Sequence, residues 1–279
     1  VPVTILHASR LPDDSIDRII EVVPGELEPR DSHYRLHHKH PLSAEQLYGL
    51  RRRFDFDINP IPPAFEPSDV RLLISDMDST LITIECVDEI ADFAGLKSQV
   101  AAITEAAMRG ELDFAESLRR RVALLEGLDE AVLERVYTER LRLSPGAEHL
   151  LEELQRRGIF TALVSGGFTF FTERLKQRLS LDFTLANKLA VRKGTLVGQV
   201  EGEIVGAEAK RDFLLERCEE LEISSRQSIA VGDGANDLAM MRVAGLSVAY
   251  RAKPRVQEGA DVVLDYSSLD AILHLLDPS

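Results

Sequence analysis

Val70-Arg71-Leu72-Leu73-Ile74-Ser75-Asp76-Met77-Asp78-Ser79-Thr80 is the stretch that decides the fold. Leu72, Leu73 and Ile74 are apolar at consecutive positions, as a strand covered on both faces must be, and the run ends in two acids two residues apart. The same texture returns at Phe160 to Ser165, Ser228 to Asp233 and Leu246 to Tyr250, each followed by a helical stretch. Buried strands alternating with helices predict an α/β fold, a Rossmann-like parallel sheet. Such sheets hold ligands at the carboxyl ends of their strands, so Asp76 and Asp78 stand where chemistry is done.

Between the first two of these strands, at about 84–143, the chain is helical in composition and far longer than one crossover helix requires. The periodicity predicts helices over Glu85 to Phe93, Ser98 to Arg109, Phe114 to Leu125 and Asp129 to Leu141, an inserted helical cap. Leu189, Val191, Leu196 and Val200 alternate about Lys193-Gly194, which predicts a β-hairpin between Leu185 and Val205. Upstream, Pro60, Pro62, Pro63 and Pro67 crowd into a stretch that can be neither helix nor central strand. We read it as a linker that divides a small unit, 1–68, from the main domain, 69–279. The small unit reads as strand Val3 to His7, helix Asp13 to Val23, strand His33 to His40, helix Ser43 to Phe54 and a strand near Phe56 to Ile61. His33, His37, His38 and His40 fall on opposite faces of their strand, which speaks for an exposed strand and against a four-ligand metal site.

The 279 residues carry 33 Lys and Arg against 47 Asp and Glu, a net charge of −14, which lacks the basic footprint of a nucleic-acid binder. Cys86 and Cys218 form no disulfide framework and fit a reducing compartment. No window approaches the ~18 apolar residues of a membrane span, so a soluble cytoplasmic protein with no membrane partner is expected.

Two carboxylates at one strand end repel each other unless a cation lies between them. Gly232-Asp233-Gly234-Ala235-Asn236-Asp237, at the end of another apolar strand, adds two more acids. An oxygen-only set without His or Cys favours Mg²⁺ over Zn²⁺. Ser165-Gly166-Gly167-Phe168 offers a hydroxyl and free backbone N–H groups suited to phosphate oxygens, and Lys210, on a helix from Glu208 to Glu219, offers a compensating cation.

Taken in order, Asp-x-Asp-x-Thr, Ser-Gly-Gly, Lys and Gly-Asp-Gly-x-Asn-Asp resemble the four motifs of the haloacid dehalogenase-like phosphatase superfamily, over roughly residues 70–275. With Glu85-Cys86-Val87-Asp88-Glu89 and a helical cap behind them, they look like its phosphoserine phosphatase family. That likeness implies Asp76 as the nucleophile that becomes an aspartyl-phosphate, and Asp78 as the acid that protonates the leaving oxygen and then activates water. It implies Ser165, Gly166 and Lys210 around the phosphoryl group. Mg²⁺ would be bound by Asp76, Asp233 and the Asp78 backbone carbonyl, with Asp237 in support. The implied substrate is O-phospho-L-serine, its carboxylate matched to Arg121, its amine to Glu85, its apolar surroundings to Met108 and Phe114, and a polar contact to Asn236. The small unit resembles a shortened ACT-like or ferredoxin-like module, and serine feedback or homodimerisation through it is a hypothesis carried by that likeness.

Each position also has a plain alternative. Arg121 lies in Arg119-Arg120-Arg121, and such runs are usually solvated faces; Glu85 could be a helix-start acid, and Met108 and Phe114 core residues. A phosphotransferase with the same core and a receiver-like domain that phosphorylates a strand-end aspartate are the competing functions, the second opposed by Asp78 and by the length of the cap.

Overall fold

The computed structural model describes residues 1–277, apart from the side chains of Asp13 and Met108. The N-terminal elements are β1 (Val3–His7), α1 (Asp13–Val22), β2 (Gly25–Pro29), β3 (Tyr34–His38), α2 (Ala44–Arg51) and β4 (Asp57–Pro60). They form an antiparallel sheet in the order β2-β3-β1-β4. The sequence reading has one strand too few, because Gly25-Glu26-Leu27-Glu28-Pro29 is a polar edge strand with Gly and Pro at its ends and one apolar residue. Period two sorts the sheet's two faces: Leu6, Leu36 and Ile58 pack under α1 and α2, whereas Val3 and Ile5 join the core of the rest of the chain. The histidine strand is not exposed as expected: His33 and His38 are buried, and His38 is held by Thr4 Oγ1 at 2.9 Å and by the His40 carbonyl at 2.7 Å.

The second sheet contains β5 (Leu72–Ser75), β6 (Phe160–Phe168), β7 (Phe183–Arg192), β8 (Thr195–Glu201), β9 (Ser228–Gly232), β10 (Leu246–Tyr250) and β11 (Val262–Leu264), in the order β11-β10-β9-β5-β6-β7-β8. All neighbours are parallel except β7 and β8, which form the expected hairpin. Leu73 faces one hydrophobic cluster while Leu72 and Ile74 face the other, so the consecutive apolar run is explained by cover on both sides. The chain fills β5, β6 and β7 in one direction and then returns to β9 on the other side of β5. Asp76 therefore sits at the switch point of the sheet, between the ends of β6 and β9.

The cap between β5 and β6 holds α3 (Cys86–Phe93), α4 (Lys97–Met108), α5 (Phe114–Ala123) and α6 (Ala131–Arg135). At its root, Thr83 N–H donates to the Arg142 carbonyl at 3.0 Å and Ser144 N–H to that of Leu81 at 2.9 Å. The helices α7 (Ala147–Arg156), α8 (Thr169–Leu179), α9 (Ala207–Glu220), α10 (Leu238–Met241), α11 (Pro254–Glu258) and α12 (Leu273–Leu276) complete the layers. Among the described residues, no helix is long and apolar enough to cross a membrane.

Candidate active site

Asp76 continues β5, its N–H donating to the Val231 carbonyl of β9 at 2.9 Å, which fixes the carboxylate at the sheet's end. The backbone then turns through Ser79, at a left-handed φ of 57°, and its amide donates to the Ile84 carbonyl at 3.1 Å. This turn carries Asp78 back over the strand ends. Asp78 Oδ1 accepts from the Cys86 N–H at 2.8 Å and Oδ2 from Ser165 Oγ at 3.2 Å. Ser165 Oγ in turn accepts from the Gly167 N–H at 2.8 Å.

Lys210, completely buried near the start of α9, donates to Asp76 Oδ1 at 2.5 Å and to Asp237 Oδ1 at 2.7 Å. Burial alone would lower its pKa, but Asp237 and Asp76 outweigh that and hold the ammonium above its ordinary range. Asp237 Oδ2 accepts from the Gly234 N–H at 3.0 Å, and Thr80 Oγ1 reaches Asp233 Oδ1 at 3.4 Å. Carboxylate oxygens of Asp76, Asp233 and Asp237 lie within 4.8 Å of one another, a set able to hold a divalent cation. Three acids against one lysine leave an excess of negative charge in a dry place. Burial first, then the Asp237 field, pushes the Asp76 carboxyl well up, and the same two causes bring Asp233 to about 6. The carboxylate of Asp78 is turned away from this set, toward Cys86 and Ser165.

The structure brings the other expected residues to the same end unevenly. Glu85 Oε1 accepts from Ser79 Oγ at 2.7 Å, and burial followed by the Asp78 field raises its carboxyl to about 7. Phe114 lies over Gly166: a Cβ there would come within 2.6 Å of its Cζ, so only glycine allows this approach. Gly167 is constrained likewise by Asp78 Oδ2, 2.6 Å from where its Cβ would be. Arg121 is half-buried on α5, its Nε 3.4 Å from the Ser117 carbonyl, while Arg119 and Arg120 are exposed. Among the described residues it forms no ion pair, although its field reaches the half-buried Asp88, whose Oδ1 has no hydrogen-bond partner. Asn236 stays within the Gly234–Asp237 turn. The side chain of Met108 lies outside the described residues. Cys86 is buried and its thiol pushed far up, chiefly by burial, which fits inert packing.

Sequence reasoning missed Asn187. Buried on β7, it donates from Nδ2 to the Gly166 carbonyl at 2.9 Å and accepts at Oδ1 from the Val205 N–H at 2.8 Å, so it pins the Ser-Gly-Gly turn. An asparagine inside an alternating strand, where that residue is depleted, was the available signal.

The haloacid dehalogenase-like hydrolase family model matches residues 70–245. A phosphoserine phosphatase of Polaromonas is 54% identical over 224 residues, 78% of this chain and 95% of that one. The chain belongs to the phosphoserine phosphatase branch of the haloacid dehalogenase-like hydrolases. Among solved structures, a family hydrolase of Salmonella enterica serovar Typhi superposes with a TM-score of 0.91 at 32% identity, covering 100% of both chains. A phospho-aspartyl intermediate analogue of a phosphoserine phosphatase gives 0.70 at 41% identity, over 75% of this chain and 99% of that one. The match to the first of these haloacid dehalogenase-like hydrolases includes the N-terminal sheet; the match to the second spans a portion of this chain and nearly all of its own.

Proposed function

We propose that the chain hydrolyses O-phospho-L-serine to L-serine and phosphate, the last step of cytoplasmic L-serine biosynthesis, with Asp76 as nucleophile and Asp78 as acid and base. The observation that carries this reading is the arrangement at the strand ends: one carboxylate fixed by a buried lysine, and a second, half-buried and raised in pKa chiefly by desolvation, turned toward Ser165. Lys210 occupies Asp76 Oδ1 and leaves Oδ2 to attack phosphorus. The phosphorus–seryl oxygen bond breaks as Asp78 delivers its proton to that oxygen. Asp78, now ionised, takes a proton from the water that attacks the aspartyl-phosphate, and phosphate leaves with Asp76 restored. Ser165 Oγ, the Gly166 backbone and Lys210 hold the phosphoryl oxygens through both steps.

The all-oxygen donor set and its surplus negative charge fit Mg²⁺, held by Asp76, Asp233 and the Asp78 backbone carbonyl, with Asp237 behind them. When bound it supplies neutralisation of charge on the phosphoryl group. Arg121 suits the substrate carboxylate, because its fork bonds bidentately, and Glu85 its ammonium. Phe114 and Met108 would form the apolar wall, with Asn236 near the metal.

Mg²⁺-dependent phosphate release from O-phospho-L-serine, run beside phosphoethanolamine and with Asp76→Asn as control, tests the whole assignment. Preference for phosphoserine, abolished by chelator and by the variant, is expected. Equal rates on both substrates would remove Arg121 from the reading, and no turnover would remove the reading itself. The order β2-β3-β1-β4 with two helices on one face supports a ferredoxin-like N-terminal module. Its proposed roles in homodimerisation and serine feedback are checked by the mass of the full chain in solution and by inhibition with free L-serine.

A further inference from the structure

Where the N-terminal sheet meets the C-terminal helical turns, three imidazoles stack. His7, at the end of β1, and His33, in the β2–β3 connection, both lie against the His274 ring of α12, with ring centroids 5.1 Å and 4.4 Å away and planes inclined by 26° and 18°. His7 Nδ1 and His274 Nδ1 are 3.0 Å apart, and His274 Nε2 is 3.0 Å from Ser32 Oγ. His7 Nε2 and both nitrogens of His33 are buried without a hydrogen-bond partner among the described residues. His7 is 7% exposed and His33 1%.

The protonation state follows from this geometry. A contact between two Nδ1 atoms holds one proton, so His7 and His274 cannot both be imidazolium and keep it. A charged His33 would bury two N–H donors with no acceptor while stacked on a second ring that gains charge over the same pH range. The charged neighbours reinforce this. Arg30 and Arg35 of the β2–β3 segment and Arg51 of α2 add positive field, Arg51 being held by the Ile58 carbonyl and Asn59 Oδ1 beside Asp57 and Asp265. Asp270 and Asp277 supply negative field from the C-terminal side, but Asp270 is engaged by His149 and Asp277 by Arg157. Among the described residues the three imidazoles are not a set of ligand atoms gathered within metal-binding reach, as the carboxylates of Asp76, Asp233 and Asp237 are, which argues against a metal.

We propose that this stack is a proton-sensitive latch, which when neutral holds the N-terminal sheet against the C-terminal turns at residues 269–276 and when protonated releases that contact. Burial depresses all three histidines, with His33 at about 4; the His274 ring adds to it for His7 and His33, whereas His274 itself is lowered by burial against the opposing fields of Asp277 and Asp270. A histidine depressed on folding binds its proton more readily in the opened form. Docking is therefore intact above the ordinary histidine range and weakens as pH falls from about 6.5 toward 4. Asp57 and Asn59, which tie β4 to β11, do not depend on these protons, so release is local to the C-terminal turns.

The test uses the full chain. Histidine ring resonances followed against pH give the three pKa values, and amide exchange, corrected for its intrinsic pH dependence, gives the protection of β1 and 269–276. His33→Phe keeps a stacking ring and removes its proton, and its turnover at pH 7.5 reports whether it is folded. The rings are expected to titrate below 6.5, with protection falling by up to about tenfold per pH unit for each proton taken up. A clearly shallower fall in His33→Phe is the second expected result. Rings titrating at 6.5 or above, protection that does not change with pH, or the same fall in His33→Phe would each overturn the proposal.

Discussion

At the scale of single residues, the site is a problem of charge held out of water. Asp76 and Asp237 share the ammonium of Lys210, and all three are buried. Removing the cation leaves two acids facing each other, and breaking a buried pair in this way costs about 3–5 kcal/mol. Lys210→Met should lower unfolding stability by that order in urea melts with chelator present, and less with Mg²⁺, whose charge substitutes for the lysine. Its phosphoserine turnover should fall by about 10²–10³-fold, as for loss of one donor to a transition-state oxyanion. Gly232 is the companion case, since a Cβ there would lie 2.5 Å from the Asp237 carboxylate. Gly232→Ala should shift Asp237 and weaken the Mg²⁺ activation constant by about 10–100-fold in a metal titration, the usual effect of disturbing a ligand's support. An unchanged constant would show that Asp237 does not tune the metal. These acids were legible in the sequence because they end apolar runs. Asn187 was not, since its partners on the Gly166 and Val205 backbones come near only through the fold.

At the scale of elements, the cap was legible as a surplus of helix between two strands, but its attachment was not. Besides its root, the segment after α5 is strapped to the β7–β8 hairpin: Gly127 N–H donates to the Leu196 carbonyl at 2.9 Å, Leu196 N–H to that of Leu128 at 2.8 Å and Glu130 N–H to that of Gly194 at 2.9 Å. The hairpin was predicted from alternation, whereas backbone bonds of this kind leave no mark on side-chain pattern. Any opening of the cap that preserves these straps is confined to α3, α4 and α5. Gly198, at φ +72°, lets β8 approach α5, its absent Cβ 2.8 Å from that of Glu126. Gly198→Ala should cost at least the ~1–2 kcal/mol of a left-handed non-glycine residue, read from thermal or urea unfolding. A neutral result would mean that the hairpin moves aside freely and does not hold the cap.

At the scale of the whole molecule, the proline-rich stretch at 60–67 reads in sequence as a linker, and the two sheets on either side of it are joined side by side. Asn59 of β4 accepts from the Val263 N–H at Oδ1 and donates from Nδ2 to the Val263 carbonyl, both at 2.9 Å, as a strand neighbour would for β11. Asp57 accepts from the N–H groups of Asp265 at 2.9 Å and Ser267 at 2.8 Å, with Tyr266 between them. No sequence pattern could show this, because the partners are some 200 residues away and a polar residue near a strand end has many ordinary uses. The joint protects an edge that would otherwise offer unpaired backbone groups to another chain. Asp57→Ala removes the charged acceptor that these part-buried donors share, and a hydrogen bond to a charged group contributes about 1.5–3 kcal/mol. Unfolding stability should fall by at least one such increment, while phosphoserine turnover at 25 °C stays at the level of the parent, since Asp57 touches no part of the strand-end site. Turnover that falls while stability is unchanged would instead make the joint a route by which the N-terminal sheet acts on the active site.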